Sequence, residues 1–497
     1  MVNLGPITTG RVRATTCFTM ALMLVACAAN PSARRTRRAM SEDEELEIGR
    51  QAAAEVEQYM GFAGSEALNA YVSRIGERLM KHSSRSHIAH EFHVVDMKEP
   101  NAFALPGGYI YVSRGLLAIM NSEDELAAVL GHEIAHVAGR HSAQREAKSR
   151  AWIPLQILAG IGGSAASIVS PGLGDAVASA GQLPASLAIA GYSRKQEEEA
   201  DRLGQHYTAA EGWDPAAIAD AMDALTREQE LAGARDPSRM SFFDTHPTTP
   251  DRAKKGRSYA KTLSVAAANR IAVDRNAFLG WLDGLVVGES ARGGVFVGRR
   301  FVHPGLEFAM TFPKGWALEN SPSAVLAQPE DESALLALQV AAEGDDPSIV
   351  ADQIAAQVEL SERTSTTIHG YPAVTASARA SEGGEEIDVA LTWIAKDGLV
   401  FQVLGATAAD GWDRHRPDFE ATAESFRRPT AAELEEVREN RLRLVLAKNG
   451  QTVAEIAKQP GNQWTVPQTA AANAMDAGTQ LSTDEAIKVS RREPYRE

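Results

Sequence analysis

The sequence predicts a multidomain protein: a mainly α-helical domain with a small sheet, followed by an α+β domain and a small terminal module. Three observations carry that expectation. The chain has 497 residues, and at roughly 150 residues per domain this suggests about three domains. Apolar residues recur with helical spacing through most of 41–260, and strand-like runs take over beyond about residue 300. Hydrophobic residues make up 44% and charged ones 23%, an ordinary globular composition.

Acidic residues outnumber basic ones, 65 to 50, and the formal net charge is -15. A nucleic-acid surface needs a positive footprint to displace counterions, so no nucleic-acid partner is expected. Only Cys17 and Cys27 occur, both near the N-terminus. That excludes a disulfide framework and a cysteine zinc cluster. Any metal is left to His, Asp and Glu.

The first 27 residues read as an export signal. Arg11 and Arg13 precede the uncharged run Ala14 to Ala26, which is too short to stay as a spanning helix. Leu24-Val25-Ala26-Cys27 resembles a bacterial lipoprotein lipobox, which implies lipidation of Cys27 and a lipid anchor in the membrane. Ala28 follows, where an Asp would resemble an inner-membrane retention signal. The expected location is therefore the periplasm, anchored to the outer membrane. Residues 28–40 read as a flexible tether.

Helical signals then follow in order. Ser41 and Glu44 have capping-box spacing, and Leu68, Val72, Ile75 and Leu79 mark a second helix. Glu91 to Asp96 reads as a strand, and a Pro-Gly-Gly turn feeds another from Tyr109 to Val112. Ser122 and Glu125 open a helix expected to run to about Lys148. Residues 151–193 carry a single charge, Asp175, and are interrupted by Pro and Gly. They read as an apolar flap or hairpin rather than a membrane span. Helices are expected at about 194–210 and 215–231, and 261–299 as a connecting segment. Strand runs at 307–312, 335–341, 387–395 and 399–405, with helices at 349–359 and 414–427, give an α+β domain over 300–428. Residues 429–497 form the small, separate terminal module.

The chemistry is carried by His132-Glu133-Ile134-Ala135-His136. On a helix, positions i and i+4 share a face, so both imidazoles can reach one ion. Glu133 stands beside them, where it can take a proton from water activated by the ion. Zinc needs a third protein ligand. His141 lies half a helical turn away and is expected to be solvated or bonded to backbone. The helix beyond Tyr192 offers Glu197, Glu198 and Glu199, with an inward stripe of Ala200, Leu203, Gly204 and Tyr207. Periodicity turns Glu198 away and leaves Glu197 and Glu199 on the two borders of the stripe.

His-Glu-x-x-His followed by Glu-x-x-x-Asp resembles the gluzincin metallopeptidases of the HtpX and BepA type, relatives of the CAAX prenyl proteases. Asn101–Gly108, Gly131–His141, and Thr245-His246-Pro247 with Arg252 also resemble the periplasmic members. The resemblance covers about 41–260 and implies a zincin-like peptidase domain binding one Zn2+ per chain. It makes Glu197 the third ligand and Asp201 a group that orients a ligand histidine. His246, as a catalytic-site residue, would either cap the ion in a latent state or support the developing oxyanion. The strand residues Gly108, Tyr109, Ile110 and Tyr111 are expected to pair with an extended substrate backbone.

The implied function is zinc-dependent endopeptidase action on unfolded or misfolded envelope proteins. The tail, Gly450-Gln451-Thr452-Val453-Ala454-Glu455-Ile456-Ala457 with Asn473 and Leu481, resembles a degenerate LysM module. That resemblance implies contact with peptidoglycan, with a purely structural role as the equal alternative. The competing function is a cell-wall-binding assembly factor or chaperone with a structural or latent zinc site.

Overall fold

The structure, a computed structural model, describes residues 40–144, 191–232, 242–246, 251–320, 324–382 and 385–496. The signal, most of the tether and nearly all of the expected flap lie outside the described residues. Glu42–Glu497 is one compact unit. Among the described residues, no helix is long and apolar enough to cross a membrane.

The N-terminal region contains α1 (Glu42–Tyr59), α2 (Glu66–Met80), β1 (Glu91–Val95), β2 (Ala102–Ala104), β3 (Tyr109–Ser113), α3 (Arg114–Ile119) and α4 (Glu123–Ala138). It continues with α5 (Arg194–Ala210), α6 (Ala217–Ala232), α7 (Phe242–Thr245) and α8 (Arg252–Ala260). Ser122 caps α4 by accepting from the Glu125 N–H, as its sequence spacing predicts. Leu126, Leu130 and Ile134 are completely buried, and truncating one such leucine to alanine costs about 2–5 kcal/mol. The helix is enclosed on every side, so its polar residues need partners. The Glu123 carboxylate accordingly accepts from Tyr71 Oη, Trp213 Nε1 and the Ile271 and Ala272 N–H groups.

Two expectations are corrected in this region. The helix ends at Ala138 instead of running to Lys148, because Arg140 adopts a left-handed backbone (φ 52°). A second helical stretch begins at 141. The strand order of the small sheet is β1-β3-β2, with β1 parallel and β2 antiparallel to β3. Both edges of β3 are therefore occupied, and it cannot receive a substrate strand. Gly108, Tyr109, Ile110 and Tyr111 do not form the substrate edge: β2, too short to stand out in sequence, covers Ile110 and Tyr111, the Leu105 N–H takes the Tyr109 carbonyl, and Gly108 lies in the turn before β3.

The 261–299 segment is more than a connection. It holds α9 (Arg275–Leu282) and β4 (Val286–Val287), and Phe278, Leu279 and Leu282 are buried in the same core as Leu126. The middle domain begins with β5 (Val295–Val297), β6 (Arg300–His303) and β7 (Phe308–Thr311), which form an antiparallel sheet. Then come β8 (Ala317–Asn320), β9 (Val325–Gln328), β10 (Ala334–Glu343), α10 (Pro347–Ala355), β11 (Leu360–Ile368), β12 (Tyr371–Glu382), β13 (Glu385–Lys396), β14 (Leu399–Ala408) and α11 (Trp412–Glu424). Their seven strands form one antiparallel sheet, ordered β11-β12-β13-β14-β10-β9-β8. Its two faces bury separate apolar clusters, one joined by α11 and the other by α10.

The tail is α12 (Ala431–Glu436), β15 (Arg438–Leu446), α13 (Val453–Ala457), α14 (Val466–Ala472) and β16 (Ala486–Pro494). It is not a separate module. β15 pairs with both β16 and β4, and Leu442 and Ala486 belong to the same core as Leu126. Lys488 is wholly buried and donates to the Ala118 and Met120 carbonyls at 2.9 and 2.7 Å. A lysine at that depth survives because the open end of α3 supplies acceptors.

Candidate metal centre

Two helices build the site, and small residues let them meet. A Cβ on Gly204 of α5 would lie 2.7 Å from the His132 nitrogen and 2.8 Å from the Gly131 carbonyl carbon. Only glycine permits that approach, which brings Glu197, two turns earlier on α5, over the histidine face of α4. Glu197 is buried, whereas Glu198 pairs with Lys255 at the surface and the Glu199 side chain is exposed.

Four side chains converge: His132, His136, Glu197 and His246, all buried. His132 Nε2 lies 3.0 Å from His136 Nε2 and 3.2 Å from His246 Nδ1. Glu197 Oε1 lies 3.1 Å from His246 Nδ1 and 3.4 Å from His136 Nε2. His132 turns its other nitrogen to Asp201, with Nδ1–Oδ1 at 3.0 Å. A proton held there leaves Nε2 as a bare lone pair facing other lone pairs, which repel unless they share a cation. Donors about 2.0–2.1 Å from a tetrahedral zinc lie about 3.3 Å from one another. The observed separations match that geometry, so the residues present fit zinc.

Around this core, Arg252 clamps two carboxylates. It reaches Asp201 with Nε–Oδ2 at 2.9 Å and Nη2–Oδ1 at 2.7 Å, and Glu197 with Nη1–Oε2 at 2.6 Å. Burial alone would push the Glu197 and Asp201 carboxyls up. For Glu197 the neighbouring histidines win, and for Asp201 it is His132 and Arg252, so both fall below the usual range. His136 goes the other way, because burial pushes it well below the ordinary imidazole value and keeps it neutral. Glu133 is fully buried, neither oxygen accepts a hydrogen bond, and burial raises its pKa. The His246 Nε2 stands 3.4 Å from Glu133 Oε1.

Aromatic rings hold the imidazoles in place. Tyr192 stacks on His136 at 3.8 Å and Phe242 on His246 at 4.3 Å. Tyr192 Oη also pairs with Ser142 Oγ, which donates to the Ala104 carbonyl of β2. Sequence reasoning missed Tyr192, since a residue just ahead of a helix cap carries no periodic signal. It also misplaced His141, which is neither solvated nor bonded to backbone. His141 is buried, and its Nδ1 lies 2.9 Å from His136 Nδ1. Uninterrupted helical geometry does not hold past Gly139–Arg140, where the chain turns before the next helical stretch.

A His-Glu-x-x-His helix meeting a carboxylate from a second helix defines a metallopeptidase-type domain. Residues 66–260 match the model of peptidase family M48, whose peptidases use zinc. The mitochondrial metalloendopeptidase OMA1 of Schizosaccharomyces pombe is 36% identical over 189 residues, covering 37% of this chain and 51% of the relative. The beta-barrel assembly-enhancing protease of Escherichia coli is 28% identical over 196 residues, covering 39% of each chain. The metalloprotease LoiP of Escherichia coli is 30% identical over 162 residues, covering 32% of this chain and 57% of the relative. The chain thus spans between about two fifths and somewhat over half the length of these three relatives.

Proposed function

We propose that the protein is a zinc-dependent endopeptidase of the bacterial cell envelope that cleaves unfolded or misassembled envelope proteins. The observation that carries this reading is the four-donor cluster beside a buried Glu133 whose oxygens accept no hydrogen bond. His132, His136 and Glu197 would hold the ion, and Asp201 would orient His132. Zinc, when bound, supplies Lewis acidity that makes water a nucleophile near neutral pH. Glu133 would take the proton from that water and deliver it to the leaving amine. A raised Glu133 pKa suits both halves of that exchange.

An extended substrate would lie along β2, not β3. In the β2–β3 register, Asn101, Phe103 and Leu105 direct their polar backbone toward β3, so Ala102 and Ala104 direct theirs outward. Ser142 takes the Ala104 carbonyl, and no described residue takes the Ala102 N–H or carbonyl or the Ala104 N–H. Backbone pairing there favours an unfolded chain over a particular sequence.

One observation favours a second reading, in which the zinc site is latent in a cell-wall-binding assembly factor. His246 Nδ1 lies within 3.2 Å of His132 Nε2 and Glu197 Oε1, so it could serve as a fourth ligand, as in closed structural zinc sites. Metal content and cleavage of an unfolded protein separate the readings. Glu133→Gln should retain zinc and lose cleavage if the protein is an enzyme; equal cleavage by both forms would overturn the proposed mechanism. The location proposed is the periplasm, with Cys27 lipidated in the outer membrane, and Cys27→Ala should then release the chain from that fraction. The LysM-like tail would add peptidoglycan contact, tested by co-sedimentation of the full chain with cell-wall sacculi.

A further inference from the structure

We propose that His141 is a positioning residue for the metal centre: its Nδ1 accepts the Nδ1–H of His136, fixing that ring's tautomer and aiming Nε2 at the ion. The inference rests on the zinc reading above and deepens it. A neutral imidazole that gives Nε2 to a metal carries its proton on Nδ1. Among the described residues, the hydrogen-bond neighbour of that proton on His136 is the His141 Nδ1 at 2.9 Å. His141 must then carry its own proton on Nε2, which stands 3.6 Å from the Glu199 carboxylate. The two ligand histidines are thus held differently, His132 by a carboxylate and His136 by a neutral ring.

Two further features of the chain keep His141 in place. Arg140 has its left-handed backbone at the end of α4, and its Nε pairs with the buried Glu45 carboxylate at 2.6 Å, which pins the turn that sets His141 beside His136. Gly139 leaves the room the ring occupies, for a Cβ there would lie 2.4 Å from His141 Nε2 and under 3 Å from two ring carbons. Its own backbone is ordinary (φ -74°), so space, not conformation, calls for glycine at 139.

The test uses the full chain, with zinc affinity from chelator competition and the visible spectrum of the Co2+ form as readouts. His141→Leu should weaken zinc by about 10-fold or more, the usual scale for losing an outer hydrogen-bond partner of a ligand, and should shift the Co2+ bands. His141→Asn offers an acceptor near the same place and should recover most of the affinity and the wild-type spectrum. A merely structural role would not be rescued by that exchange. Gly139→Ala should resemble His141→Leu, and combined with it should add no further loss. It also carries the test should His141→Leu fail to fold. Wild-type affinity and spectrum in His141→Leu or Gly139→Ala, or an Asn variant as weak as Leu, would overturn the proposal. A wild-type chain that binds neither Zn2+ nor Co2+ would overturn the zinc reading itself.

Discussion

Gly204 abuts Gly131 where the two site helices cross: a methyl group at 204 would lie 2.7 Å from the His132 nitrogen, and one at 131 would be tight at 3.0 Å from the Gly204 carbonyl oxygen. Gly204→Ala should therefore force α5 outward, destabilise the domain by about 1–3 kcal/mol as overpacking does, and weaken metal binding by moving Glu197. Gly280→Ala is the control. It sits in α9 with open space around it, so it should stabilise by up to about 1 kcal/mol through helix propensity alone. Thermal melts and chelator competition would show the contrast, and a harmless Gly204→Ala would remove the crossing as the constraint.

The tail contributes to the peptidase core rather than hanging from it. Besides the Lys488 contacts, Asn121 Nδ2 donates to the Ala472 carbonyl, and Arg275 Nη2 donates to both Asn121 and Asn473. These groups adjoin the start of α4. Deleting 438–497 should expose Leu282, Leu285 and Val287 and abolish cooperative folding of the peptidase region at 37 °C. An unchanged melting profile for the remaining chain would mean that the tail folds and acts alone.

His303 gives the middle domain a pH dependence whose sign follows from burial. The ring packs on Phe308, accepts from the Leu306 N–H, and is pushed down to about 4 by burial. In the unfolded chain it titrates near 6.5. Between those values only the unfolded state binds the proton, so this group's stability is complete above about 6.5 and is lost as pH falls toward 4. Its share is on the order of 3 kcal/mol when fully lost. His303→Asn keeps an acceptor without the titration, so its melting temperature should fall less than the wild type's between pH 7 and pH 5. Parallel curves would show that another group sets the slope.

Local signals reached most helices of the peptidase region because capping and apolar spacing are short-range properties. Ser122 with Glu125, and the apolar stripe of the Glu197 helix, are examples. Periodicity leaves Glu197 and Glu199 equally open as third-ligand candidates, and family resemblance, not spacing, points to Glu197, which is the one buried beside the histidines. What was not legible depended on tertiary contact. β2 is three residues long and is a strand only because β3 pairs with it. β11 is almost entirely exposed, with no alternation to reveal it. The weld of the tail depends on β4, a two-residue strand with no signal of its own. His141 was misjudged because a single left-handed residue, Arg140, cancels helical extrapolation.

His246 is where the site's two possible states separate. Its Nδ1 stands with the three ligand atoms, and its Nε2 faces Glu133. A ring in that place would keep water from a bound ion and from Glu133 at once. It is held there through its helix, since the Phe242 N–H donates to the Pro100 carbonyl and the Tyr192 N–H to the Thr245 carbonyl. Those contacts lie at the entrance of β2, along the edge an extended substrate would take. His246→Ala should therefore bind zinc less tightly while cleaving an unfolded substrate faster, because the cap is gone and Glu133 is free. Reduced cleavage with reduced affinity would show that oxyanion support by this ring outweighs capping. Wild-type affinity together with wild-type cleavage would exclude both roles, leaving His246 as a buried neighbour of a three-ligand site.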